Sequence, residues 1–175
     1  MVKLLSQIER TLTMLLNTVL ISAVTLLVLD VVWGVFTRYI MGEQAEWTEE
    51  LARFLLIWVA LLGGAVAFHT KGHLGVDYFV SKLHPDARKL MAVVAHLLVL
   101  GFASMIFLYG GSRVVTDALL MEQTTPALGW KMGYVYLALP ISGIFMLIYT
   151  IQHMILTLKT PANEIHELEE AGGLD

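Results

Sequence analysis

The chain has 175 residues, of which 57% are hydrophobic and only 15% are charged, and it contains no cysteine. A soluble domain carries about 45–50% apolar and about 25% charged residues, and a domain this small cannot bury so much apolar surface in its own interior. The composition therefore excludes a cytosolic globular protein or a nucleic-acid-binding protein, while the mild net charge of −4 says little about partners.

Four stretches of the chain contain no Asp, Glu, Lys or Arg. They are Thr11–Leu29, Phe54–Thr70, Leu90–Ser112 and Met132–Leu158. Apolar segments of about 17–25 residues match the thickness of a bilayer when they are helical. The sequence therefore predicts an all-α membrane protein with four transmembrane helices, at about residues 11–36, 52–70, 89–112 and 132–158. These helices form one domain over residues 1–160, and residues 161–175 are expected to form an acidic cytoplasmic tail.

The orientation in the membrane follows from the basic residues that flank the spans. If the N-terminus is cytoplasmic, the inner segments hold seven Lys and Arg residues and the outer loops hold four. Cytoplasmic loops carry the excess of Lys and Arg, so both termini are predicted to be cytoplasmic.

The first helix is long, and it carries one acidic residue. A helix from about residue 4 to residue 39 would measure about 50 Å, so it must tilt or protrude from the bilayer. Asp30 lies near its outer end, where it either faces the interface and partners near Arg38 or lines an ion path. The first of these alternatives is favoured, because the interfacial aromatic residues follow within two turns.

A charged cluster precedes the second span. Thr48 is predicted as the N-cap, which places Glu49 and Glu50 in the first turn, where the helix dipole favours negative charge. Glu49 and Arg53 have the i,i+4 spacing of an ion pair. Either this cluster is an exposed helix start, or one of its carboxylates pairs within the bundle or with a partner subunit.

Small residues recur at helical spacing within the second span, as Ala60-x-x-x-Gly64 and Gly63-x-x-x-Ala67. Such residues let another helix approach closely. They are expected to pack within the bundle or against a second subunit.

The loop between the second and third spans predicts either a short amphipathic helix on the inner leaflet or an irregular loop. Its apolar residues are Leu74, Val76, Phe79, Val80 and Leu83, and its polar residues are Asp77, Ser81, Lys82 and His84. In the last span, Pro140 is expected to introduce a kink.

Residues that could perform chemistry are scarce. No span has a central charge, which argues against a carrier that works alone, although a stand-alone channel stays an alternative. His96 and His153 lie at similar depths near the inner side, so a four-helix b-type cytochrome is the enzyme-class alternative. The sequence has no catalytic triad, metalloprotease motif or phosphate-binding loop, so neither an enzyme nor a cofactor is predicted.

Several motifs resemble the small membrane subunit of tripartite ATP-independent periplasmic (TRAP) transporters, the DctQ-like family. They are Arg38-Tyr39, Glu46-Trp47-Thr48-Glu49-Glu50-Leu51-Ala52-Arg53, Gly63, Ala67 and Gly72-His73-Leu74-Gly75-Val76-Asp77. The later Thr125-Pro126-Ala127-Leu128, with a proline in the last span, is also similar.

The resemblance implies a non-catalytic subunit in the bacterial inner membrane. Its expected partners are a large, sodium-coupled, DctM-like permease subunit, a periplasmic substrate-binding protein and membrane lipid, without nucleic acid. The transported substrate would be an organic acid of the C4-dicarboxylate or sialic acid type. The candidate structural or partner-interface residues are Arg38, Trp47, Glu49, Glu50, Arg53, Gly63, Gly64, Gly72, His73 and Asp77.

Overall fold

A computed structural model describes residues 2–70 and 84–159, which are almost entirely helical. The helices are α1 (Val2–Phe36), α2 (Glu46–Thr70), α3 (Pro85–Phe102), α4 (Gly111–Leu120), α5 (Met132–Tyr136) and α6 (Ala138–Lys159). A π-helical segment, Thr37–Met41, continues α1, and a second one, Ala103–Gly110, joins α3 to α4. The predicted amphipathic helix of the inner loop and the acidic tail lie outside the described residues.

Four of the helical stretches are long and apolar enough to cross a membrane, which confirms the predicted fold class. They are Thr11–Met41, Glu46–His69, Lys89–Leu120 and Met132–Lys159, and they are called the first to fourth spans below. The third span continues past its apolar core through Arg113 and Asp117, because charged residues that reach the interface do not end a helix. The orientation of the termini stays a prediction, and the words outer and inner below name the two ends of the bundle according to that prediction.

The first helix is as long as expected. Its 35 α-helical residues correspond to about 52 Å, against a hydrocarbon core of about 30 Å. Gly42 ends its π-helical continuation with a φ of +85°, in the left-handed region that glycine adopts without a steric penalty.

The second and fourth spans form the centre of the bundle. Helix α1 packs on α2, α2 packs on α6, and α6 packs on α3 and on the π-helical segment Ala103–Gly110. The spans are therefore adjacent in the order first, second, fourth, third. At the inner side, Lys89 Nζ donates a hydrogen bond to the carbonyl of Leu158 over 3.1 Å, which joins the inner ends of α3 and α6.

The third and fourth spans are in very close contact. A Cβ atom built on Gly143 would lie 2.6 Å from Phe107 Cβ, and one built on Gly111 would lie 2.9 Å from Leu139 Cβ. Gly133 is packed in the same way against Leu119. Small residues therefore bring these two helices together, as is common in membranes.

The fourth span is interrupted at Leu137, between α5 and α6. Pro140 lies in the first turn of α6 and has no N–H to donate to the carbonyl four residues earlier. Hydrogen bonds from Leu137 N to Gly133 O and from Ile141 N to Leu137 O continue through this position, and the kink stays a prediction.

Candidate functional site

The loop between the third and fourth spans folds into a compact hairpin, residues 123–132, called the outer hairpin below. Its ends are joined by a hydrogen bond from Met132 N to Gln123 O over 2.9 Å. Inside it, Thr125 N donates to Trp130 O over 2.9 Å, and Gly129 N donates to Thr125 O over 3.0 Å. Gly129 has a φ of +66°, which the tight turn requires.

Glu50 holds this hairpin from the second span. Its Oε1 accepts a hydrogen bond from Ala127 N and its Oε2 accepts one from Leu128 N, each over 3.0 Å. The Thr125 side chain also hydrogen-bonds the carboxylate, and Thr125 Oγ1 accepts a hydrogen bond from Trp130 N over 3.1 Å. Charge-assisted bonds from a carboxylate to backbone N–H groups are stronger than neutral ones. Glu50 therefore links the outer end of α2 to the hairpin that precedes the fourth span.

Of the alternatives that the sequence left open for the charged cluster, the structure has Glu50 pairing within the bundle. Glu49 and Arg53 are both exposed, and the structure forms no ion pair between them, although their spacing predicts one. Arg53 instead lies close enough to Glu50 to attract its charge. The prediction of an exposed ion pair between Glu49 and Arg53 is thus wrong. The partner of Glu50 is a segment about 77 residues away along the chain.

The predicted N-cap role of Thr48 is also wrong. Helix α2 begins at Glu46, so Thr48 lies within its first turn, and the Thr48 hydroxyl donates to the carbonyl of Ala45 over 2.7 Å. The side chain is only 2% exposed, because it packs against Gly34 of α1. Thr48 is therefore a contact between the first and second spans.

The other candidate residues at the outer end are exposed. Arg38 lies in the π-helical segment that ends the first span, and Trp47 is 40% exposed at the start of α2. These positions suit the membrane–water boundary, where aromatic and basic side chains are enriched.

The sequence favoured a position for the Asp30 side chain at the membrane interface, and this prediction is wrong. Its side chain is 6% exposed and points into the contact between the first and second spans. Burial at a helix contact could not be read from a single acidic residue in an otherwise apolar stretch.

The two glycines of the second span have different surroundings. A Cβ built on Gly63 would lie 3.7 Å from Leu20 Cδ1 of α1, which is ordinary packing within the bundle. A Cβ built on Gly64 would meet no atom within 4 Å. Gly64 belongs to an exposed stripe, called the open face of α2 below, which consists of Arg53, Leu56, Ala60, Gly64 and Ala67. Gly72, His73 and Asp77 lie outside the described residues.

Near the inner side, side chains from all four spans meet. The rings of His69 and Tyr149 stack with centroids 4.1 Å apart, and Tyr149 Oη lies 3.1 Å from the hydroxyl of Thr13. The His153 ring centroid lies 5.9 Å from that of His69 and 6.2 Å from that of His96.

The similar depths of His96 and His153 do bring their rings together, but nothing supports a haem between them. The ring of His153 also faces His69, which stacks on the fully buried Tyr149. Within residues 2–70 and 84–159, no group of three His, Cys, Asp or Glu residues is arranged to hold a metal ion. The ring contacts of His69 with Tyr149 and His153 were not predicted from the sequence. The position of His69 at the end of the second apolar stretch was the available signal.

The sequence is similar to those of known membrane-transport proteins. The family model described as "Tripartite ATP-independent periplasmic transporters, DctQ component" matches residues 27–160. The sialic acid TRAP transporter small permease protein of Vibrio cholerae is 26% identical over 171 residues, which are 94% of this chain and 93% of that protein. A putative TRAP transporter small permease protein of Haemophilus influenzae is 30% identical over 138 residues, 79% of this chain and 84% of that protein.

Longer relatives contain a similar region as a minor part of their length. The sialic acid TRAP transporter permease protein SiaT of Haemophilus influenzae is 27% identical over 126 residues, 72% of this chain but 20% of that protein. The family consists of transporter components and not of enzymes, and four apolar helices agree with a multi-pass protein of the inner membrane. The chain belongs to the DctQ family, the small-permease component of tripartite ATP-independent periplasmic transporters.

Proposed function

We propose that this chain is the small subunit that binds and braces a large, sodium-coupled permease subunit, which takes up an organic acid delivered by a periplasmic binding protein. The observation that carries the proposal is the match of nearly the whole chain to a small permease protein. In a relative such as SiaT, a similar region is covalently part of a much longer permease protein, which supports a permanent association with a large subunit.

The chemistry of the spans supports a bracing role. A site for a charged organic acid in a low-dielectric interior needs positive partners or helix N-termini at that depth. The central parts of the four spans contain no Lys or Arg, so the substrate and sodium would be bound by the large subunit.

The substrate class is proposed from the names of the relatives. They include transporters of sialic acid, of isethionate and of C4-dicarboxylates, all of which are organic anions. We therefore expect a sialic acid or a C4-dicarboxylate, and competition between labelled and unlabelled acids during uptake by whole cells would identify it.

We place the contact with the large subunit on the open face of α2. Lipid tails offer no hydrophobic drive for helix association, so close approach at small residues is the main source of affinity in a membrane. Ala60, Gly64 and Ala67 are exposed on successive turns, whereas Gly111, Gly133 and Gly143 are already occupied by the chain's own helices.

Two matched glycine variants test this contact. Gly64 and Gly101 are both exposed helical glycines at which a Cβ would meet nothing within 4 Å. Gly64→Leu is expected to reduce recovery of the large subunit with a tagged small subunit in mild detergent, whereas Gly101→Leu leaves it unchanged. Equal recovery with both variants would remove the open face of α2 from the interface.

The accessory role itself has a separate test. Deleting this chain is expected to abolish uptake even when the large subunit is still inserted in the membrane. Normal uptake by the large subunit and the binding protein alone would refute the bracing role.

A further inference from the structure

Asp30 is a buried acid in the outer half of the first span, and no group in the described part of the chain donates a hydrogen bond to it. Its side chain is 6% exposed, and neither carboxyl oxygen has a hydrogen-bond partner among the described residues. Its chain neighbours Leu29 and Val31 are exposed, by 60% and 49%, because they point away from the bundle. Asp30 therefore faces α2 from an otherwise lipid-facing stretch.

The register between α1 and α2 shows what lies opposite. Gly34 packs against Thr48, and Leu20 packs against Gly63, so the two helices run antiparallel. Position 30 therefore lies level with residues 52 and 53 of α2. Residue 52 is an alanine, and the Arg53 side chain is exposed on the open face and makes no bond to Asp30.

The buried hydroxyls of this contact cannot serve the carboxyl either. Each has one hydrogen to donate, and both hydrogens are already used. Thr37 Oγ1 donates to Gly34 O over 3.0 Å, and Thr48 Oγ1 donates to Ala45 O over 2.7 Å.

The remaining charged groups of these two helices act elsewhere. On α2, Glu46 and Glu49 are exposed and Glu50 is bound to the outer hairpin. The charged residues of α1 itself, Lys3, Glu9 and Arg10, lie at its opposite end. Arg38 follows Asp30 by two turns and is exposed at the outer boundary.

A bare carboxylate without donors is among the costliest groups to place inside a membrane protein. A metal ion would need several further oxygen or nitrogen ligands, and the part of the chain that the structure describes offers no cluster of them. A proton neutralises the group without any additional ligand. We propose that Asp30 is a proton-binding site, held as the neutral carboxylic acid in the contact between the first and second spans.

The packing of α1 on α2 around Asp30 depends on the bound proton. With a neutral acid, the outer halves of α1 and α2 can stay packed, whereas an ionised Asp30 would require water or a cation to enter between them. The first span contacts the rest of the bundle chiefly through α2, so this contact controls how its outer half is held.

The proposal is tested by the infrared spectrum of the full-length chain in lipid at neutral pH, with ¹³C in the side-chain carboxyl of aspartate. The chain has five aspartates, which are Asp30, Asp77, Asp86, Asp117 and Asp175. One isotope-shifted carbonyl band of a protonated carboxyl is expected, and Asp30→Asn should remove it. A spectrum with ionised carboxylate bands only would overturn the proposal.

A second set of variants assigns the infrared band without depending on the folding of the Asp30→Asn variant. The band is expected to survive in each of four single variants, Asp77→Asn, Asp86→Asn, Asp117→Asn and Asp175→Asn. Loss of the band in any one of them would assign the proton to that residue and refute its assignment to Asp30.

Discussion

The contact between the third and fourth spans should fail when a single methyl group is added at Gly143. The new Cβ would lie 2.6 Å from Phe107 Cβ, whereas carbon atoms in contact are best separated by about 3.5–4.0 Å. A change of rotamer cannot relieve this overlap, because the Cβ of Phe107 is fixed to the backbone. Backbone atoms of Phe107 and Leu108 lie just behind it, at 3.4 and 3.5 Å. The two helices must therefore separate by about 1 Å.

The magnitude follows from two opposing effects. Overpacking of a rigid contact costs about 1–3 kcal/mol, and a contact between backbone-fixed atoms belongs at the upper end of that range. Alanine gains about 1 kcal/mol over glycine within a helix. Gly143→Ala should therefore lose about 2 kcal/mol of stability. For a domain of this size that corresponds to a fall in Tm of about 4–8 °C.

Gly64→Ala is the matched control, since it adds the same methyl group to a helix at a position with no atom within 4 Å. Both glycines lie in helices at negative φ. Thermal unfolding in mild detergent, followed by the loss of the monodisperse size-exclusion peak, compares the two variants. Gly64→Ala is expected to unfold at or above the wild-type temperature. If Gly143→Ala unfolds no earlier than Gly64→Ala, the close packing of the third and fourth spans is wrong.

Glu50→Ala should expose the outer hairpin to proteolysis in solubilised protein, because Glu50 binds the hairpin backbone. Glu49→Ala should not have this effect, and equal cleavage of both variants would contradict the role of Glu50. Cysteines placed singly at Gln44 and Lys82 should differ in labelling by an impermeant reagent on whole cells, and labelling of position 82 alone would reverse the predicted orientation. Tyr149→Phe should cost about 0.5–1.5 kcal/mol, the usual value of one hydrogen bond, because it removes the contact with the first span. An unchanged unfolding temperature would show that this hydrogen bond is not formed.

Hydropathy and the charge-free stretches were sufficient to predict the four spans, because a bilayer requires long apolar helices whatever their packing. The ends of the spans could be predicted less accurately from the charge-free stretches. The third span continues beyond Ser112 to Leu120, because its helical structure persists through Arg113 and Asp117, which the charge-free criterion excludes. The N-terminus of α2 was likewise placed too late, because Thr48 is used as a helix contact and not as a cap.

The partners of individual side chains could not be predicted, because they are set by contacts between distant segments. Glu50 was singled out as a candidate, yet its partners at Ala127 and Leu128 belong to a loop whose conformation depends on its own hydrogen bonds. Periodicity drew attention to Gly63 and Gly64, whereas the glycines that make the closest contacts, such as Gly143, lie in a span without a repeated small-residue motif.

The two sides of the bundle are held together by different physical means, and this difference bears on how a partner subunit could be bound. Close glycine contacts at Gly111 and Gly143 lock the third span to the fourth, so a displacement there would separate atoms over several turns. The first span packs on α2 through Gly34 against Thr48 and through Leu20 against Gly63, and most of its other side chains are exposed. The first span is attached to α2 along much of its length, from the contact of Leu20 with Gly63 to that of Gly34 with Thr48. The open face of α2 lies next to this attachment, so a partner bound there would contact a helix that is fixed on one side by α6 and joined on the other to the first span.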